Sequence, residues 1–133
     1  MSDLSDLVTF LRARLDEEEA LAKAAAVDSE TWRFDESLPC AAIVAYSARW
    51  ESTLGSGLWQ CDDPYDDCED ARRGARAEAE HIVYWDPERV LAEIAAKRVI
   101  LDGFDPIEHP TGPLYALAQP YADHEAFDST WRT

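Results

Sequence analysis

The dipeptide Asp86-Pro87 constrains the fold of this chain more than any other pair of residues. Proline has no amide hydrogen and clashes with the preceding turn, so no regular helix runs through it. At the first position of a helix that missing N–H costs nothing, and aspartate before it is a preferred N-cap. The pair therefore closes one helix and opens another. Upstream, residues from about Glu69 to Trp85 read as a helix, with Glu69 and Arg73, and Arg76 and Glu80, spaced as i,i+4 ion pairs. Downstream, Val90, Leu91, Ile94, Arg98 and Leu101 fall on one stripe that marks a buried face. Gly103 then reads as a left-handed terminator.

The N-terminal segment 4–26 reads as a long helix. Leu4, Leu7, Val8, Leu11 and Leu15 follow the i, i+3, i+4, i+7 spacing, and Ser2 or Asp3 can cap the start. Arg12 with Asp16 and Arg14 with Glu18 are expected pairs, and the tetrad Asp16-Glu17-Glu18-Glu19 reads as a solvated helix face. Three prolines and a glycine make residues 104–113 a loop. A short helix is expected from Gly112-Pro113 through Gln119, ended by Pro120. The tail from Tyr121 to Trp131 is expected to be helical, capped by Asp123, with Tyr121, Phe127 and Trp131 docking it on the core.

Between Val27 and Asp63 the texture changes. Thr31–Phe34, Ala42–Tyr46 and Leu58–Cys61 are short and rich in β-branched and aromatic residues, with a turn at Gly55-Ser56-Gly57. Trp32, Trp50 and Trp59 are the packing candidates among them. Ala41 to Trp50 also suits a helix, since alanine is the best helix former. The expected class is α+β: the long N-terminal helix and the central helices packed on a small antiparallel three-stranded sheet, with a helical C-terminal tail. A length of 133 residues fits a single domain.

Charge narrows function. Twenty-eight Asp and Glu face twelve Lys and Arg, a formal net charge of −16. Such a surface repels phosphate backbones and anionic lipid, so direct nucleic-acid and membrane binding are not expected, whereas a basic protein partner is. The N-terminus lacks a signal peptide's basic and apolar regions, and three Cys without a scaffold pattern fit reduced thiols; the expected compartment is the cytoplasm.

The densest acidic cluster is Asp62-Asp63-Pro64-Tyr65-Asp66-Asp67-Cys68-Glu69-Asp70. Asp62, Asp63, Asp66, Asp67, Glu69 and Asp70 around Tyr65 form the candidate partner-binding set, because interfaces commonly ring an aromatic anchor with charge. Pro64 and the missing glycine break the EF-hand pattern. Cys61-x6-Cys68-x12-His81 lacks the close cysteine pair of structural zinc sites, so neither a metal nor a cofactor is expected. His81, Asp123 and His124 are the remaining candidates for a ligand or metal site, and Asp123 beside His124 suits acid–base work. Packing is the simpler role for both histidines. No nucleophile elbow or phosphate loop is present, and catalysis is not expected.

Three stretches carry a resemblance: Asp6-Leu7-Val8-Thr9-Phe10-Leu11-Arg12-Ala13-Arg14-Leu15-Asp16-Glu17, the run from His81 through Trp85-Asp86-Pro87 to Arg98, and Leu117-Ala118-Gln119-Pro120-Tyr121-Ala122-Asp123-His124 with Trp131-Arg132. Together they resemble an uncharacterised family of small proteins from actinobacteria and their phages, classed as a domain of unknown function. The resemblance covers both ends and the central helix and is weakest over residues 36–78. It implies a cytoplasmic protein, allows a phage or prophage origin, and implies no activity. Trp85 stands where the family often has a second histidine, which argues against an His-x3-His metal pair here.

The functional expectation is a small acidic interaction protein that binds a basic partner. Mimicry of DNA by spaced carboxylates is its sharper form. The rival is a metal-binding or hydrolytic domain using His81, His124 and nearby carboxylates.

Overall fold

The first helix, α1 (Leu4–Ala25), starts at a reciprocal cap. The Asp6 N–H donates to Asp3 Oδ1 at 2.9 Å and the Asp3 N–H donates back to Asp6 Oδ2 at 3.3 Å, which satisfies two amides that the helix leaves open. The computed structural model describes residues 3–26, 30–35, 42–46, 51–56 and 69–133, of which residues 34–35, 42–46, 51–56 and 69–75 are described by their backbone alone. Further along the chain lie α2 (Glu69–Tyr84), α3 (Pro87–Asp102) and α4 (Gly112–Ala118), then single 3-10 turns at Gln119–Tyr121 and Ser129–Trp131.

The expected α+β architecture is overturned: the described chain is mostly helical. Helices of 22, 16, 16 and 7 residues stand against extended runs of 4, 5 and 6 residues, β1 (Trp32–Asp35), β2 (Ala42–Tyr46) and β3 (Glu51–Ser56). These runs neighbour one another antiparallel in chain order, but only Trp32 and Arg33 among them have described side chains. Among the described residues every buried apolar side chain lies on a helix or in a 3-10 turn. The expected third strand is also displaced, since β3 runs through Gly55 and Ser56, where a turn was expected. Leu58–Cys61, Trp50 and Trp59 lie outside the described residues. The physical reason is apolar spacing: α1, α3 and α4 each carry buried apolar side chains at helical intervals, Leu7, Leu11 and Leu15, Ile94 and Leu101, and Leu114 and Ala118.

Two units divide the chain, Met1–Ala20 with Ala92–Thr133, and Leu21–Leu91. In the first, Leu7, Phe10, Leu11 and Leu15 of α1, Ile94 and Leu101 of α3, Leu114 and Ala118 of α4, and Trp131 are buried, and no described residue is in a strand. Leu4 and Val8, expected on the apolar stripe, are only half-buried; Phe10 and the Arg14 stem take their place. The second unit holds α2, which lies beside β1 and β2, with Ala22, Ala79 and Pro87 buried.

Asp86 caps α3 as its sequence position demands. Its Oδ1 accepts the Arg89 N–H at 3.0 Å, and Oδ2 accepts the Trp32 N–H at 3.3 Å. The Glu88 N–H donates to the Glu30 carbonyl at 3.0 Å, and Thr31 Oγ1 donates to Glu88 Oε2 at 3.2 Å. One aspartate thus ends a helix and anchors the entry to β1. At the other end of α3, Gly103 is not in the left-handed region; its N–H donates to the Val99 carbonyl at 3.0 Å. A Cβ there would sit 3.3 Å from that carbonyl oxygen, so close approach is what favours glycine.

The tail differs from expectation. It is not an α-helix capped by Asp123, which is exposed; it is a chain of turns, with Asp128 capping the last one through Thr130 N–H at 2.8 Å. Gln119 Nε2 donates to the Tyr115 and Trp131 carbonyls at 2.7 and 2.8 Å, which closes the tail onto α4.

Candidate functional site

Four groups of side chains stand out, three in the first unit and one in the second. The first is an ion-pair lattice between α1 and α3. Arg98 Nη2 donates to Asp16 Oδ1 and to Glu19 Oε2, both at 2.7 Å, and Arg12 Nη2 donates to Asp102 Oδ1 at 2.9 Å. The hydrogen bond to Glu19, and then that to Asp16, holds the Arg98 guanidinium even further above neutrality than usual. Arg14 reaches Glu17, not Glu18, at 2.8 Å. The expected pairs Arg12–Asp16 and Arg14–Glu18 are replaced by these; Asp16 and Glu17 of the acidic tetrad keep most of their side-chain surface in solvent, as expected, while Glu18 and Glu19 are half-buried. Each of its four carboxylates has a partner: Glu17 takes Arg14 of α1 itself, whereas α3 supplies Arg98 to Asp16 and Glu19 and the tail supplies Tyr121 to Glu18, donors that no spacing rule along α1 reveals. Beside this lattice, Arg12, Asp16, Arg98, Leu101 and Asp102 border a hollow of about 260 Å³.

The second group is aromatic. Phe10 is ringed by Tyr121, His124, Phe127 and Trp131, at centroid distances of 6.2, 5.7, 6.0 and 5.1 Å. Three of these contacts are edge-on, the geometry that ring quadrupoles prefer. Tyr121 Oη donates to Glu18 Oε1 at 2.7 Å, and burial first, then this bond, pushes its hydroxyl well above the usual phenol range. Arg14 stacks over Phe10 at 5.2 Å, with its Nε and Nη1 buried and without a hydrogen-bond partner among the described residues. His124 belongs to this cluster. Its Nδ1 accepts the Ala126 N–H at 3.0 Å, so one ring nitrogen is already committed to the turn.

The third group lies at the junction of α2 and α3. Tyr84 and Trp85 are 57% and 42% exposed, and the Arg89 guanidinium stacks on both rings at 4.0 and 4.9 Å. The fourth is an apolar groove of about 320 Å³ at the end of α3, bordered by Val99, Ile100, Phe104, His109, Pro113 and Leu114. Val99 is 72% exposed, and Ile107, on the following loop, 92%. The Phe104 and His109 rings lie 6.1 Å apart, and His109 Nδ1 accepts the Asp105 N–H at 3.2 Å, which fixes that edge of the groove.

The sequence candidates are distributed as follows. Asp62, Asp63, Tyr65, Asp66 and Asp67 lie outside the described residues, while Glu69 and Asp70 open α2, where acids complement the helix dipole. His81 is exposed in the last turn of α2, in the second unit; Asp123 and His124 are in the first. Among the described residues no three His, Cys, Asp or Glu side chains are grouped to hold a metal ion. The groove was missed because its residues lie off the buried stripe of α3. The signal was present in Val99-Ile100, two apolar residues beyond that stripe, followed by Ile107 in a proline-rich loop.

These features define a small, acidic, mostly helical protein with exposed apolar and aromatic surfaces. No described helix is long and apolar enough to cross a membrane. The chain belongs to the family of unknown function DUF6221, whose model matches residues 4–133. No curated protein and no solved structure matches it.

Proposed function

We propose that this protein is an interaction module that binds a basic protein partner. The observation that carries the reading is the formal net charge of −16, far more than solubility requires of a chain this size. A field of that sign accelerates encounter with a cationic surface and repels nucleic acid and anionic membranes. Asp62, Asp63, Asp66, Asp67, Glu69 and Asp70, with Tyr65 among them, are the acidic contacts this reading favours. The DNA-mimic version is not carried forward, because Arg98, Arg14 and Tyr121 already occupy the tetrad of α1 that it needs as phosphate stand-ins. A phage or prophage origin would place the partner in a bacterial host, and gene neighbourhood tests that.

The experiment is affinity capture from lysate at rising ionic strength, with the Asp62, Asp63, Asp66 and Asp67 to Asn variant in parallel. Basic proteins should be retained, released by salt, and reduced in the variant. Retained proteins no more basic than the input, or retention that ignores salt, would reject the reading.

A further inference from the structure

We infer that the groove at the end of α3 docks an amphipathic, basic segment of the partner, an inference that rests on the proposed basic-partner reading. The groove is large enough for two or three apolar side chains, and Val99 and Ile100 stand exposed at its edge. Its floor is pre-formed, since Pro110 and Pro113 fix the backbone on one side and buried Leu114 closes the base.

Charge decides the occupant. Residues 99–114 contain Asp102, Asp105 and Glu108 and neither Lys nor Arg; Arg12 of α1 already pairs with Asp102, so the unbalanced charge of this stretch is that of Asp105 and Glu108. The carbonyl end of α3, with its partial negative charge, points the same way. Arg98, the nearest guanidinium in sequence, is drawn away to Asp16 and Glu19. A segment with an apolar face and flanking Lys or Arg satisfies both parts of the surface, as helices do in grooves elsewhere. A second copy of this chain would instead bring one −16 surface against another. The Tyr84–Trp85 platform is the weaker candidate for a basic segment, because the Arg89 cation already stacks on it.

The test is an NMR titration of the ¹⁵N-labelled full chain with a synthetic amphipathic Leu/Lys peptide, and with its Leu/Glu counterpart. The Leu/Lys peptide should shift Val99, Ile100, Gly103, Phe104 and Leu114 most, and bind more weakly in salt. The Leu/Glu peptide should not bind. Val99→Ser with Ile100→Ser, both at exposed positions, should weaken binding about tenfold with unchanged circular dichroism. Glu108→Lys should weaken it as well.

Shifts confined to residues 62–70 would overturn the groove and leave the basic-partner reading standing. No binding of the Leu/Lys peptide anywhere would count against both. Equal binding of the two peptides would overturn the basic character of the occupant, and concentration-dependent shifts without peptide would replace it with a second copy.

Discussion

Replacing Phe10 by alanine tests the arrangement that closes the first unit. The ring is 7% exposed and meets Tyr121, His124, Phe127 and Trp131 within 6.2 Å, so one side chain of α1 holds four rings of the tail. Deleting a buried phenylalanine costs about 3–5 kcal/mol, including the cavity it leaves. Tyr121, His124 and Phe127 are only half-buried and can relax into the space, which favours the lower end, about 3 kcal/mol. That is a large part of the roughly 5–15 kcal/mol that keeps a domain folded. At roughly 3–4 °C per kcal/mol for this size, the midpoint should fall by about 10 °C. Phe10→Leu keeps most of the apolar volume and loses the edge-on ring contacts, so it should cost about 1 kcal/mol. Thermal and urea unfolding followed by near-UV circular dichroism give both numbers. Hydrogen exchange adds the location, with amides between Ala122 and Trp131 losing protection first. A Phe10→Ala loss below about 1 kcal/mol, with protection in the tail unchanged, would show that the tail is held by something else.

Three further outcomes follow from the same contacts. Asp86→Ala should cost about 2 kcal/mol in urea unfolding, because it removes a cap and leaves the Trp32 amide without its acceptor; Asp86→Asn, which still caps, should lose less. For Tyr121 the folded-state pKa lies above the ordinary value of 10.0, so the neutral phenol stabilises the fold. That contribution is complete below about pH 10 and is lost as pH rises through the folded-state value, so urea midpoints of the native protein should drop above about pH 10 more than those of Tyr121→Phe. Arg98→Gln leaves Asp16 and Glu19 without their shared cation; its melting temperature should fall at low salt, and the gap to the native protein should narrow at about 0.5 M salt.

The groove and the ion-pair lattice were legible only in fragments. Val99, Ile100 and Ile107 were visible as apolar residues, but a groove exists only where the chain folds back through Pro110 and Pro113. The acidic tetrad faces solvent through Asp16 and Glu17, but spacing rules see one helix at a time and miss its partners Arg98 and Tyr121, which stand 79 to 103 positions away. His124 and Asp123 looked like an acid–base pair as a dipeptide. In space His124 packs on Phe10, and Asp123 is exposed.

By itself the sequence determined where α1 and α3 begin and where α2 stops, for a local reason. The caps at Asp3 and Asp86, the proline at position 87 and the apolar spacing of α1 act within one or two turns, so their consequences follow wherever the rest of the chain goes. It also determined the sign of the molecule's field, since a charge of −16 survives any arrangement of the residues. Only the tertiary structure decided that the described core of the first unit would be built from helices and a 3-10 turn, which carboxylates would take internal partners, and where apolar surface would be left uncovered. Those outcomes depend on which distant stripes bury one another, a competition that no local pattern encodes.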